Sequence, residues 1–273
     1  MKDRYIQKFS KRSGKETVVG IKKRQYILFV LLIILALVGI YWYSITLNSD
    51  NKNFTNIIFI FLVAVAFLLF ALFLFFSKLL SFIIDFTLYE QVDFKKYLEI
   101  LDNLYRVEKN KRIKREYFQI NQFGMGQVEY FSGNFERSLH ILETIDISRV
   151  TLRHREFYQK SILYFKCLNC IMLKDINKAE EMYQSLESES GKNVVESILE
   201  ILKGNESDYV FESEPRIKFV KIGRYYYQAL NFLNADDKPA AKATFQQIAN
   251  ENPDLFYVRE AKKYLEELES VGI

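Results

Sequence analysis

The sequence predicts an all-α protein, in which a membrane-spanning helical hairpin precedes a domain of paired helices. Two long runs of uncharged, apolar residues, 26–47 and 57–77, lie near the N-terminus. Beyond them, apolar residues recur at the three- and four-residue intervals of amphipathic helices. The sequence has no sustained alternation of apolar and polar residues and no Asn-Gly or Asp-Gly dipeptide, so its strand signals are weak.

The first element is a basic tail, residues 1–25. It carries nine Lys/Arg against Asp3 and Glu16, a net charge of +7. Because it has few large apolar residues, we expect it to lack a fold of its own. The sequence leaves two roles open for this charge: it sets the orientation of membrane insertion, or it also contacts anionic lipid headgroups.

The two apolar runs are predicted as transmembrane helices at 26–47 and 57–84. Each is about as long as the roughly 20 residues with which a helix crosses a bilayer. The loop that joins them, 48–56, is short, so the two helices form a hairpin. No charged residue or proline interrupts either uncharged run, which favours an anchor over a pore.

The charge distribution predicts the orientation of the hairpin. Positive charge stays on the cytoplasmic side of a membrane, so the N-terminus is predicted to be cytoplasmic. Two crossings return the chain, which makes residues 85–273, with a net charge of −4, cytoplasmic as well. The predicted localisation is therefore a multi-pass protein of the cell membrane. The abundance of Phe, Tyr, Ile, Lys and Asn favours a bacterial host.

Helices are predicted to follow the membrane segment without interruption. Residues 85–111 form a juxtamembrane helix or linker, because the apolar spacing over 79–107 either extends the second transmembrane helix or begins a surface helix. Short links between helices imply antiparallel neighbours. The further helices are predicted at 112–131, 135–147, 152–173, 175–188, 192–203, 215–234, 237–250 and 254–269.

A spacing of small and aromatic residues begins at Gly126 and repeats along the chain. Gly133 is a turn between two helices, Phe135 fills the gap between them, and Ser138 is the small residue that lets them approach. Gly124 has no place in this frame. The frame recurs downstream, where the corresponding positions are Ala179, Ala241 and Pro253.

This frame resembles the tetratricopeptide repeat (TPR). The spacing between successive small residues, 41 residues and then 62, departs from the family's period of about 34 residues and its double. The resemblance implies that residues 112–273 form a TPR-like α-solenoid of antiparallel helix pairs, with a concave groove for a protein or peptide partner. The groove positions carried over are Phe123, Gln127, Tyr130, Tyr164, Leu168, Ile171, Tyr225, Leu230 and Leu233.

Two roles follow from this organisation, and the sequence leaves both open. The first is a membrane-anchored adaptor or scaffold whose cytoplasmic domain binds a protein partner. The second is a non-catalytic subunit of a membrane transport or secretion complex, assembled through its hairpin. The many aromatic and aliphatic groove positions favour a partner segment with apolar anchors.

Motifs for catalysis, cofactors and metals are weak. Gly124 and Gly126 form G-x-G, but Glu129 replaces the third glycine of a dinucleotide-binding loop. Cys167 and Cys170 form C-x-x-C without a second cysteine pair, so we expect two buried, apolar cysteines. The sequence also lacks H-E-x-x-H and G-x-S-x-G. We therefore expect no enzyme activity, no cofactor and no metal.

A basic cluster begins at Arg106, shortly after the membrane segment. It can contact anionic lipid, bind nucleic acid, or simply form a solvated helix start. Lipid contact is the sharper expectation, and nucleic acid the weaker. The residues predicted to contact lipid, in the tail and in this cluster, are Lys22, Lys23, Arg24, Lys109, Lys111, Arg112, Lys114 and Arg115.

Overall fold

The computed structural model describes Ile6, Phe9 and residues 11–46, 52–207 and 215–270. In this part of the chain the regular structure is eleven α-helices and one 3-10 helix, with no strand. The all-α prediction is therefore confirmed. The chain divides into two compact units, Met1–Thr87 and Leu88–Ile273.

The N-terminal unit contains helices α1 (Gly14–Thr46) and most of α2 (Lys52–Tyr89). Both helices are long and apolar enough to cross a membrane. Their large apolar side chains are widely exposed: Ile40 retains 68% of its accessible surface and Phe67 retains 72%. Such surfaces suit contact with lipid tails or with other apolar helices.

Helix α1 begins inside the basic tail, where we expected no fold. Ser13 and Glu16 form a reciprocal capping box: the amide of Glu16 donates to Oγ of Ser13, and the amide of Ser13 donates to Oε2 of Glu16, each at 3.2 Å. A capping box satisfies two amides that a helix start otherwise leaves free. The helix therefore extends twelve residues upstream of the predicted transmembrane segment 26–47.

The prediction that one helix continues over 79–107 is wrong, because the chain turns between α2 and helix α3 (Phe94–Val107). Val92 adopts a positive φ of 54°, which a helix cannot contain. The side chain of Asp93 then caps α3 by accepting from the amide of Lys96 at 2.9 Å. The Val92 carbonyl accepts from Nδ2 of Asn252 at 2.6 Å, so a contact distant in sequence holds the turn.

Nine helices, α3 to α11, form the described part of the C-terminal unit. α3 packs against α4, α4 against α5, α5 against α6, α6 against α7, α9 against α10, and α10 against α11; α8 contacts α6 and α9. These contacts agree with helix pairing along the chain, and the repeat assignment stays a prediction. The remaining bounds are α4 Lys111–Phe131, α5 Phe135–Glu143, the 3-10 helix Ile147–Arg149, α6 Leu152–Met172, α7 Ile176–Gln184, α8 Glu189–Leu202, α9 Lys218–Asn234, α10 Lys238–Ile248 and α11 Phe256–Ser270.

Glycines allow α4 to approach its neighbours closely on two sides. A Cβ at Gly126 would lie 2.7 Å from Cδ2 of Leu142 on α5. A Cβ at Gly124, the glycine without a place in the repeat frame, would overlap Leu101 on α3. Both glycines are thus packing contacts, and the pair leaves no open loop that could cradle a phosphate.

Small residues of the repeat frame lie at the contacts between helices. Oγ of Ser138 donates to the Gly126 carbonyl at 2.7 Å and accepts from Nδ2 of Asn169 at 2.9 Å, which joins α4, α5 and α6. Ala179 and Ala241 are buried. Pro253, by contrast, lies exposed in the turn before α11.

The last helix, α11, contacts the turn between α4 and α5. Nη2 of Arg259 donates to the Ser132 carbonyl at 2.7 Å, and the rings of Phe135 and Phe256 lie 5.2 Å apart. An open array in which each repeat touches only its neighbours would not make this contact. The C-terminal unit therefore closes on itself more than the predicted solenoid does.

Replacing Gly133 should be more damaging than replacing Gly204, which provides a matched control. Both glycines have a positive φ, 77° and 89°, so alanine at either position costs about 1–2 kcal/mol of backbone strain. Only at Gly133 would the new Cβ also approach Phe256, at 2.9 Å. We expect Gly133→Ala to lose about 1–3 kcal/mol more than Gly204→Ala, measured by denaturant unfolding of the full chain in detergent. Equal losses would contradict the packing role of the α4–α5 turn.

Candidate functional site

An aromatic cavity of about 400 Å³ opens within the C-terminal unit, between α4, α6, α8, α9 and α11. Its mouth reaches solvent, since Ser190 is exposed and Val220 retains 41% of its surface. Arg224 is a charged side chain in its wall. Eight aromatic rings line the cavity: Tyr89, Tyr130, Phe131, Tyr164, Phe165, Phe219, Tyr227 and Tyr257.

The aromatic wall is built by ring contacts between helices. The rings of Phe131 on α4 and Phe219 on α9 lie 4.2 Å apart, and Phe165 on α6 contacts Phe131 at 5.6 Å and Tyr130 at 5.5 Å. Such pairs are individually worth about 0.5–1.5 kcal/mol beyond the area they bury. The cavity is thus preformed by the same rings that hold α4, α6 and α9 together.

Five tyrosines add hydroxyl groups to this wall, and three of them are buried. The side chains of Tyr130, Tyr227 and Tyr257 are buried, and burial raises the pKa of each hydroxyl above its usual value. The hydroxyls therefore stay protonated at physiological pH and keep a proton to donate. The Tyr227 hydroxyl also donates a weak hydrogen bond to Sδ of Met172, at 3.8 Å.

Arg224 leaves a charged donor unused. Its Nη1 atom is buried, and no group in the part of the chain that the structure describes accepts a hydrogen bond from it. A buried donor without a partner is destabilising by about 1–3 kcal/mol, and more when it is charged. The guanidinium also gives the cavity wall a positive charge, which favours an anionic group in the cavity.

The predicted groove residues do not form one open groove. Tyr130, Tyr164 and Leu168 line the aromatic cavity. Tyr164, Tyr225 and Leu233 are partly exposed. The remaining positions, Phe123, Gln127, Ile171 and Leu230, are packed in the core between helices. Contact of these residues with a partner stays a prediction. The buried groove positions are Phe123, Gln127, Tyr130, Leu168, Ile171 and Leu230.

Sequence reasoning missed the residues that give the cavity its chemistry. Arg224 and Tyr227 lie on α9, outside the groove frame, and Tyr257 lies on α11. One signal was available in the sequence: residues 224–227 read RYYY, an arginine followed by three consecutive tyrosines. Which of these side chains face inward depends on the packing of α9, and helical spacing alone left that open.

The predicted lipid-contact residues fall into two groups. On α1, Lys22 and Arg24 are half-buried and Lys23 is exposed, and the guanidinium of Arg24 lies 5.5 Å from the Phe76 ring. In the C-terminal unit, Lys114 lies 5.0 Å above the Tyr105 ring. The remaining members of the cluster are exposed: Lys109, Lys111, Arg112 and Arg115. Contact of either group with lipid stays a prediction.

The two cysteines lie in the core and are free thiols. Sγ of Cys167 donates to the Ala179 carbonyl at 3.4 Å, and Cys170 is also buried. Burial raises the pKa of Cys167 to about 11, so its thiol is protonated at neutral pH. The described residues contain no group of three or more His, Cys, Asp or Glu placed to hold a metal ion.

Comparison with known proteins leaves the family of this chain open. No protein-family model matches it, and neither a curated protein nor a solved structure gave a match. The resemblance to tetratricopeptide repeats therefore depends on residue spacing alone.

Removing the Arg224 charge should stabilise the protein. Methionine keeps the apolar length of the side chain but deletes the buried, unpartnered donor, so we expect Arg224→Met to raise the free energy of unfolding by about 0.5–1 kcal/mol. Arg259→Met is the matched control, because its guanidinium donates to the carbonyls of Ser132, Pro253 and Asp254. That variant should lose about 1–2 kcal/mol.

The measurement is denaturant unfolding of both variants and the parent chain under the same detergent conditions. A loss of stability in Arg224→Met as large as that in Arg259→Met would show that the folded chain satisfies Arg224 internally. In that case the cavity would have no unused donor.

Proposed function

We propose that this protein is a membrane-anchored adaptor, whose C-terminal helical unit binds a segment of a protein partner. The observation that carries the proposal is the preformed aromatic cavity, which opens to solvent and has Arg224 in its wall. A mostly apolar pocket with a few polar or charged groups is typical of a binding site.

The character of the two apolar helices supports the anchor. Their lengths suit a bilayer, and their exposed apolar side chains would otherwise face water. The basic tail favours a cytoplasmic N-terminus, and two crossings then return the C-terminal unit to the cytoplasm. In this arrangement a partner bound to the unit would be held at the membrane of a bacterial cell.

The lining of the cavity supports a particular ligand chemistry. Its volume, about 400 Å³, lies within the range of pockets that enclose drug-sized groups. Aromatic rings suit the apolar side chains of a peptide, and an arginine can bind a carboxylate with two parallel hydrogen bonds. We therefore propose a peptide segment that carries aromatic or aliphatic side chains next to a carboxylate. The apolar part of this ligand agrees with the partner that the TPR resemblance implies, a peptide with apolar anchors.

Tethering makes a modest affinity sufficient for this role. When an anchor and a binding site share one chain, the second contact of a membrane-bound partner becomes intramolecular, and avidity rises without any new contact. The proposal assigns no catalytic step and no cofactor to the chain.

A second candidate is a non-catalytic subunit of a membrane transport or secretion complex. It is favoured by the exposed surface of α2, on which Ile60, Phe61 and Phe67 retain 66%, 65% and 72% of their surfaces. Ala64 and Ala66 in the same helix would permit close approach of another transmembrane helix. In that role the hairpin, and not the cavity, would hold the partner.

Site-directed photo-crosslinking in cells distinguishes the two candidates. A photo-reactive residue at Val220 or Tyr164 probes the cavity, and one at Ile60 or Phe67 probes the hairpin. Phe157, which retains 65% of its surface and lies outside the cavity lining, provides the control position. We expect the cavity positions to capture one defined protein that the control position does not capture.

The Arg224→Gln variant makes this test specific. It should weaken cavity crosslinking by about tenfold or more, because the carboxylate of the partner loses a charge-assisted pair. Capture that occurs only from Ile60 and Phe67 would favour the transport-complex subunit and contradict the adaptor proposal. Turnover of a metabolite by the purified chain would contradict both candidates.

A further inference from the structure

A second cavity, of about 240 Å³, brings four arginines together at the far end of α4. Arg112 and Arg115 belong to the predicted basic cluster on the first turns of this helix. Arg149 comes from the 3-10 helix and Arg155 from α6. Ser148, Val150, Thr151 and Leu152 complete the lining. This cavity is called the arginine cavity.

Buried polar groups on α4 fix the loop that carries two of these arginines. The helix predicted at 135–147 ends at Glu143, and Asp146 then starts the 3-10 helix. Oε1 of Gln119 accepts from the Asp146 amide at 2.9 Å. Oε1 of Glu116 accepts from the Thr151 hydroxyl at 2.8 Å and lies 3.0 Å from Nδ1 of His154. Both α4 side chains are buried, so the cavity has a rigid base.

The guanidinium of Arg155 is held in place with one donor left over. Its Nη2 donates to the carbonyls of Ser148 and Val150 at 3.0 and 3.2 Å. Its Nε is buried, and no described group accepts a hydrogen bond from it. The two hydrogen bonds from Nη2 fix the position of the Arg155 charge in the cavity wall.

The arginine cavity also carries an excess of positive charge. Arg149 is neutralised by Asp146, with Nε and Oδ2 at 2.8 Å. Arg112 and Arg115 are exposed and form no ion pair with any residue that the structure describes. The four guanidinium groups outnumber the two neighbouring carboxylates, those of Asp146 and Glu116, so the arginine cavity has a net positive charge.

The start of α6 adds to this charge. Thr151 is the N-cap residue, but its hydroxyl donates to Glu116 and does not cap the helix backbone. The first amides of this 21-residue helix therefore have no side-chain acceptor at the cap. The positive end of the helix dipole favours an anion at this position.

We propose that the arginine cavity binds a phosphate group. A phosphate ester presents three acceptor oxygens and a charge of about −1.5 to −2, which can engage several guanidinium groups at once. A carboxylate has two oxygens and one charge, and would leave more of these donors without a partner. The phosphate belongs to an anionic lipid headgroup or to a soluble phosphate ester. Leu152, which lines the cavity and retains 78% of its surface, would also suit contact with lipid.

The first test measures binding of inorganic phosphate to the full chain in detergent, by isothermal titration calorimetry at constant ionic strength. We expect saturable binding. Arg112→Gln and Arg115→Gln should each weaken it by about fivefold to tenfold, since each removes one charge-assisted pair at an exposed position. These two variants are chosen over Arg155→Gln because Arg155 also holds the loop.

Arg153→Gln is the matched control. Arg153 is exposed on the first turn of α6 and carries the same charge, but it does not line the cavity. Its variant should bind phosphate like the parent chain, and the near-ultraviolet circular dichroism of all three variants should be unchanged. Absence of saturable binding, or equal weakening in Arg153→Gln, would overturn the proposal.

A second measurement identifies the source of the phosphate. The full chain is placed in nanodiscs of phosphatidylcholine, with and without phosphatidic acid, and titrated again with inorganic phosphate. If phosphatidic acid weakens the binding of inorganic phosphate in the parent chain, the site takes a lipid headgroup. If it has no effect while binding persists, the site takes a soluble ester. The failure of this proposal would leave the aromatic cavity and the adaptor role untouched, because they involve different residues.

Discussion

The close approach of α4 to its neighbours is the constraint on which the C-terminal unit depends. Side chains at positions 124 and 126 would overlap Leu101 and Leu142, so only glycine lets α3 and α5 pack at their observed distances. The same approach brings the Gly126 carbonyl within reach of Ser138, whose hydroxyl then accepts from Asn169. Together these contacts position α3, α5 and α6 around α4.

Because α4 is central, it contributes to both candidate sites from its two ends. Its last turn carries Tyr130 and Phe131 into the aromatic cavity, and its first turns carry Arg112 and Arg115 to the arginine cavity. Between them, Glu116 and Gln119 hold the loop before α6. The two cavities thus share a rigid support although they differ in chemistry, one apolar and one cationic.

Both cavities contain a buried arginine donor without a partner in the described chain, at Arg224 and at Arg155. Neither donor helps folding, because a buried N–H that loses its water without gaining an acceptor raises the free energy of the folded state. What the two cavities share is positive charge, because Arg224 lines the one and four arginines line the other. This charge favours anionic groups in both cavities.

The sequence by itself determined the features that depend on local pattern. The two apolar runs predicted α1 and α2, because crossing a bilayer requires length and apolar composition and little else. Helical spacing predicted the helices from α4 onward, and the glycine at position 133 marked a turn. Residues 14–25 of the tail form a helix that was not expected, and the chain turns at Val92 where a continuous helix was predicted; a capping box and a distant hydrogen bond from Asn252 decide these two features.

Only the tertiary structure decided which side chains meet. Arg149 and Arg155 join Arg112 and Arg115 because the chain folds back between α5 and α6, and spacing along one helix cannot show this. In the same way, α11 closes onto the α4–α5 turn, and the packing of α9 brings Arg224 among aromatic rings from α4, α6, α11 and the end of α2. Helix formation is governed by neighbours within a few residues. A site is formed by side chains that are distant in sequence, and local patterns do not specify which of them pack together.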